Sequence, residues 1–185
     1  DDNLKGAYDL YMMLKPFRRP NIKVQDVLRA KRPVCVLLRG LREESKKFLV
    51  YCFLEIVIDY YMREGIKSRP EVILVIDEAH RLLTFHEESI VLRAFREFRK
   101  YGFGIWLITQ LPSDIKSDLY QLAGFMVALA GPESYIRDLE LGMRLTDKDR
   151  YWLSYASRGQ GLLIRLGDPR TRRITFHIPS EVLRL

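Results

Sequence analysis

A chain of 185 residues, 48% hydrophobic and 30% charged, carries enough apolar surface for a buried core, and its composition excludes disorder and low complexity. Its 31 basic residues against 24 acidic ones give +7, which permits a polyanionic partner such as nucleic acid without requiring one. The longest apolar run, FLVYCFLEIVIDYYM from Phe48 to Met62, carries Glu55 and Asp59 and is shorter than the roughly 20 clean residues of a spanning helix, so no transmembrane segment is expected.

The chain opens on DDNLKGAYDL, with no initiator methionine and no signal-like segment, and is expected to be a piece of something longer. After a polar, helical start, RPVCVLLRGL is a short apolar run bounded by Pro33 and Gly40; it predicts a strand over Val34 to Leu38 buried on both faces. A helix is expected from Glu43 to Arg63, where Leu49, Cys52, Phe53, Ile56 and Tyr60 recur at helical spacing and Gly65 stands at the C-terminal cap. RPEVILVIDE gives a second buried strand. In EESIVLRAFREFRKYG the residues Val91, Ala94, Phe95 and Phe98 form an apolar stripe, Arg93, Arg96, Arg99 and Lys100 take the polar surface, and Gly102 ends the helix.

FGIWLITQ and GFMVALA predict two more buried strands, separated by a short helix that Ser113 or Asp114 caps after Pro112. SYIRDLELGMRL and DKDRYWLSYAS read as two short helices, and GLLIRL and RRITFHI flank the turn GDPRT as a hairpin. Cys35 falls in a predicted strand and Cys52 in a predicted helix, so both are expected as reduced core thiols. The alternation of strand and helix predicts an α/β fold: one partial domain over residues 1–185, a mostly parallel sheet with helices on both faces, and a C-terminal β-hairpin.

Ligands of a parallel sheet gather at the carboxyl ends of its strands. Asp77 and Glu78 directly follow the Val72 to Ile76 run; one carboxylate can help hold Mg²⁺ through water while the other orients or deprotonates an attacking water. Gln110 ends GIWLITQ, where an amide that both donates and accepts can sense a γ-phosphate or a water; alone it reads as a loop-capping amide. Arg99, eleven residues before Gln110, is placed either as an arginine finger toward a neighbouring subunit's nucleotide or on a solvated helix face, since Glu97 interleaves with the arginines. His80, His86 and His177 show no metal-ligand spacing.

VILVIDEAHRLL, REFRKYGFGIWLITQLPSDI and SRGQGLLIRLGDPRTRRITFHI together resemble the later part of a HerA/FtsK superfamily motor domain, nearest to the HerA helicases and the conjugation or type IV secretion ATPases. The resemblance covers most of the chain from about Pro33 onward. It implies a RecA-like fold in a hexameric ring that hydrolyses ATP with Mg²⁺ between subunits and drives DNA or protein transport. It further implies that Asp77 is the magnesium-associated Walker B aspartate, Glu78 the catalytic glutamate, Gln110 the sensor and Arg99 the candidate finger. DNA is the expected partner, alongside secretion or DNA-processing proteins, and the expected place is the cytoplasm, peripheral at the membrane for a secretion motor. Arg158, in the SRGQG loop, receives no role.

The family's G-x-x-x-x-G-K-S/T loop is absent from the sequence, LRGLREESK at Gly40 included, so the chain alone is expected to be inactive, its phosphate grip lying upstream of Val34. DEAH at Asp77 to His80 also matches the DEAH helicases, ranked lower because ITQ stands where those carry a Ser-Ala-Thr type motif. A third reading is a scaffold or ring-assembly module without the loop. The residues encoded before Asp1 discriminate: a loop ending in Gly-Lys-Ser or Gly-Lys-Thr favours the motor, a start codon the scaffold.

Overall fold

The computed structural model describes residues 24–30, 32–82, 90–140, 142–168 and 170–177; the expected helical start and His86 lie outside them. Contacts divide the chain into two units, Asp1–Ile108 and Thr109–Leu185.

In the first unit a short helix, α1 (Val24–Leu28), precedes α2 (Glu43–Glu64). Leu54, Val57, Ile58 and Tyr61 are the buried apolar residues of α2, at spacings of three and four, and full burial of each aliphatic one is worth about 1.5–3 kcal/mol. This stripe is rotated from the expected one: Ile56 is exposed, and Leu49, Cys52, Phe53 and Tyr60 are only partly buried. A helix apolar around most of its circumference declares its period without its phase. The Gly65 N–H donates to the Met62 carbonyl at the expected cap.

Strand β1 (Val72–Ile76) pairs in parallel with β2 (Phe103–Leu107), from Val72 opposite Phe103 to Ile76 opposite Leu107. Between them run α3 (Ala79–Leu82), α4 (Ile90–Glu97) and a 3₁₀ turn, Phe98–Tyr101, that ends on Gly102 at φ 77°, the left-handed stop its glycine permits. Val91, Ala94 and Phe98 are buried as expected, with Ile90 and Leu92. The Tyr61 ring stacks on Phe103 at 6.1 Å, so α2 closes over the strand face that also carries Ile76. On the opposite face Ile73, Val75 and Trp106 are about half-exposed.

The run from Val34 to Leu38 is not a buried strand. It is irregular, pairs with no strand among the described residues, and exposes Val34, Val36 and Leu37, the last at 82%. Cys35 is exposed with it, and is not a core thiol. A parallel strand needs a neighbour at its edge and a layer on each face; an apolar run expresses that need, and the described residues supply neither.

In the second unit a 3₁₀ turn, Pro112–Asp114, leads to α5 (Ser117–Leu122), whose N-cap position falls on Lys116 with no side-chain bond, not on Ser113 or Asp114. Then follow β3 (Phe125–Leu129), α6 (Glu133–Glu140), α7 (Asp147–Tyr155), β4 (Gln160–Arg165) and β5 (Arg172–Thr175). The expected hairpin forms, with Gln160 opposite Thr175, and β3 joins it antiparallel, with Phe125 opposite Arg165 and Leu129 opposite Gly161. Strand β3 is buried on one face only: Ala128 packs with Ile136, Leu139, Met143, Leu153 and Leu162, while Phe125, Val127 and Leu129 are about half-exposed.

Asp149, 8% exposed, ties the start of α7 to the hairpin. Its carboxylate accepts the Thr146 N–H at 3.0 Å and the Thr146 hydroxyl at 2.7 Å, its own N–H donates to Thr146 Oγ1 at 3.2 Å, and the Thr171 hydroxyl donates to its other oxygen at 2.7 Å. Burial alone would push this carboxyl up, but the hydroxyls of Thr171 and Thr146, the Thr146 N–H and the charge of Arg173 hold it below the ordinary carboxylate value. The glycines of SRGQG are structural: Gly159 turns the chain at φ 82°, and a Cβ on Gly161 would lie 2.5 Å from the Ala128 carbonyl oxygen across the ladder.

Candidate functional site

Strand β1 is an apolar run of five residues of which Ile76, the last, is buried. The β1–β2 ladder extends past it: the Ile108 N–H donates to the Ile76 carbonyl, and the Ala79 N–H to the Ile108 carbonyl, both at 2.9 Å. Between these anchors Asp77 Oδ1 accepts the Glu78 N–H at 2.9 Å. Glu78 has φ 51°, the one positive φ outside glycine among the described residues. A non-glycine residue held there costs about 1–3 kcal/mol, and such strain concentrates at functional sites.

The Glu78 carboxylate lies 3.6 Å from Nε2 of His80, which is largely buried at the start of α3. Glu78 also borders a cavity of about 250 Å³ lined by Leu38, Arg39, Glu43, Lys46 and Arg81. Lys46 donates to Glu43 at 2.6 Å, and that bond holds the Glu43 carboxyl below its ordinary value, with the charge of Arg81 adding to the effect. Three cations thus meet two carboxylates at the carboxyl end of β1, an arrangement able to hold an anion beside a carboxylate base.

Of the expected residues, Asp77 and Glu78 stand together, and His80 joins them. Arg99 sits in the 3₁₀ turn that precedes β2, at the amino end of the strand pair, with its side chain exposed and its carbonyl accepting the Gly102 N–H. Gln110 belongs to the second unit and is exposed within a turn closed on itself, where Thr109 Oγ1 accepts the Leu111 N–H at 3.0 Å. Arg158 is exposed in the turn before β4, shaped by the Ser157 N–H donating to Gln160 Oε1 at 2.8 Å.

Arg39, Lys46 and Arg81 were not expected at the site. The trace of Arg39 and Lys46 in the sequence is the basic stretch LRGLREESKK, where Gly40 precedes a helix start, and Arg81 falls in VILVIDEAHRLL. No cluster of three or more His, Cys, Asp or Glu able to hold a metal exists among the described residues. A metal resting on Asp77 would keep most of its ligands as water, which fits Mg²⁺, an ion bound by one or two carboxylates and several waters. No described helix is long and apolar enough to cross a membrane.

A profile of the family described as zonular occludens toxin (Zot) matches residues 20–133. Among solved structures, VirB4 of Thermoanaerobacter pseudethanolicus is similar at 19% identity and TM-score 0.64, over 80% of this chain and 41% of that one. The genome packaging NTPase B204 from Sulfolobus turreted icosahedral virus 2, in complex with ATP-gammaS, is similar at 15% identity and TM-score 0.65, over 89% of this chain and 76% of that one. Its complex with AMPPCP gives 14% and 0.63, over 85% and 73%. At these identities the likeness shows the fold alone, an α/β fold of the RecA-like kind that the sequence resemblance implies. The chain spans well under half the length of the VirB4 structure. A comparison with curated proteins finds no match.

Proposed function

The chain belongs to the zonular occludens toxin (Zot) family, and from that premise we propose that it is part of an ATP-driven motor of the HerA/FtsK type that moves DNA. The observation that carries this reading is Glu78, a carboxylate held in a left-handed conformation at the end of an apolar strand beside Asp77.

In this reading Asp77, its Oδ1 engaged by the Glu78 amide, would help hold Mg²⁺ through water. The ion, when bound, neutralises phosphate charge. Glu78 takes the proton of the attacking water, and His80, 3.6 Å away, orients its carboxylate. Gln110 senses the γ-phosphate, and Arg99 stabilises transition-state charge at a neighbouring subunit's nucleotide in a hexameric ring. The glycine loop that grips the phosphates is supplied by the polypeptide carrying this chain, which works in the cytoplasm. The likeness to B204, named as a genome packaging NTPase, supports DNA as the moved polymer.

The test is phosphate release by a polypeptide carrying this chain together with its phosphate-binding loop, measured with and without DNA. ATP-dependent release stimulated by DNA is expected. A polypeptide that holds the loop and releases no phosphate under either condition overturns the motor reading and leaves the scaffold.

A further inference from the structure

The cavity of about 250 Å³ that Glu78 borders lies wholly within the first unit and draws its three cations from three segments. Arg39 stands in a turn that Gly40 permits at φ 84° and that the Leu41 N–H closes on the Leu38 carbonyl at 3.4 Å. Lys46 comes from the start of α2, where Glu43 engages one of its three N–H donors at 2.6 Å. Arg81 belongs to α3, its N–H donating to the Glu78 carbonyl at 2.9 Å. Pockets that enclose whole small-molecule ligands run to roughly 300–1,000 Å³, so this space suits one small anion with its waters. A carboxylate has two oxygens to share among three cations, whereas a tetrahedral phosphate has enough for two guanidinium forks, an ammonium and an O–H of its own.

Glu78 decides among tetrahedral anions. Its carboxylate accepts and cannot donate, so it favours an anion that still carries an O–H. At about pH 8 inorganic phosphate keeps one, whereas a phosphate ester or the end of a nucleotide has lost its protons, and sulfate holds none. We propose that this cavity holds inorganic phosphate, with Arg39, Lys46 and Arg81 taking its charge and Glu78 accepting a hydrogen bond from its O–H. The inference rests on the proposed ATP hydrolysis for the origin of that phosphate, the γ-phosphate once it has left the nucleotide, and not for the binding itself.

The experiment is isothermal titration calorimetry of the 185-residue chain with inorganic phosphate, without nucleotide, at about pH 8, repeated with sulfate and with ADP. Saturable phosphate binding is expected, with sulfate and ADP weaker by about tenfold or more, since each sets charge without an O–H against Glu78. Changing both Arg39→Ala and Arg81→Ala, two exposed side chains, is expected to weaken phosphate about tenfold or more. Glu78→Gln is expected to bring sulfate level with phosphate, because an amide donates as well as accepts. Arg63→Ala, at the far end of α2 and paired with Asp59, leaves phosphate binding unchanged and guards against a general charge effect. A chain that binds no phosphate overturns the inference, as does a double variant that binds it as before, or an original chain that takes sulfate or ADP as tightly as phosphate. Phosphate bound by this chain, with no ATP hydrolysed by the polypeptide that carries the loop, supports the subsite and overturns the motor reading alone.

Discussion

Glu78 and Arg99 stand at opposite ends of one pair of parallel strands: Glu78 lies just past the carboxyl end of β1, Arg99 in the turn that enters β2. Five residues of strand at about 3.3 Å each separate the two ends by about 16 Å, farther than a guanidinium closes on its own side chain. An arginine finger at this position therefore serves another subunit's nucleotide. In rings assembled with the phosphate-binding loop, Arg99→Ala is expected to abolish hydrolysis, and mixing with Glu78→Gln subunits to restore part of it, because some interfaces then join an intact Glu78 to an intact Arg99. Mixed rings as inactive as either parent would contradict a role in trans.

The backbone at Glu78 makes a separate prediction about stability. Glu78→Gly and Glu78→Ala both lack the carboxylate, but only glycine adopts φ 51° without strain. The glycine variant is expected to be more stable than the alanine variant by about 1 kcal/mol, a rise of about 2–4 °C in melting midpoint. Equal midpoints would contradict the left-handed conformation.

Asp149 links folding to pH. Its folded carboxyl lies below its ordinary value, so its contribution is present above the unfolded value of about 3.9 and is lost as the pH falls through the folded one. Asp149→Asn is expected to flatten the acid limb of a denaturation series below about pH 4. At neutral pH it costs about 1–3 kcal/mol, through the lost cap and the hydroxyls left unpaired. An unchanged acid limb would contradict this assignment.

At Gly161 the nearest obstacle to a side chain is backbone, the Ala128 carbonyl oxygen, and not the flexible end of a side chain. Gly161→Ala is expected to force β3 from β4 and to cost about 1–3 kcal/mol in chemical denaturation. A neutral substitution would contradict the register of that ladder.

Strand β1 is legible because a short apolar run closed by charged residues marks where a strand leaves its sheet, and the C-terminal hairpin because its turn chemistry is local; two carboxylates after an apolar run are by themselves a moderately specific pattern. Other features depend on partners far along the chain. The phase of α2 is set by which face meets Phe103, and the run from Val34 to Leu38 would need neighbours that the described residues do not include. Arg39 comes from a turn, Lys46 from α2 and Arg81 from α3, and they meet Glu78 only when the start of α2 is brought against the end of β1. Ser113 and Asp114 look like caps by type, but Pro112 starts a 3₁₀ turn there and moves the helix start to Ser117.

The central claim is that Glu78 is the base of an ATP-hydrolysing site, and the direct measurement is Glu78→Gln in a polypeptide that carries this chain with its phosphate-binding loop, followed for ATP binding and phosphate release together. The account predicts that ATP stays bound at near-original affinity, since the change keeps Asp77, while steady-state release falls by about a hundredfold or more. Unchanged release would contradict it.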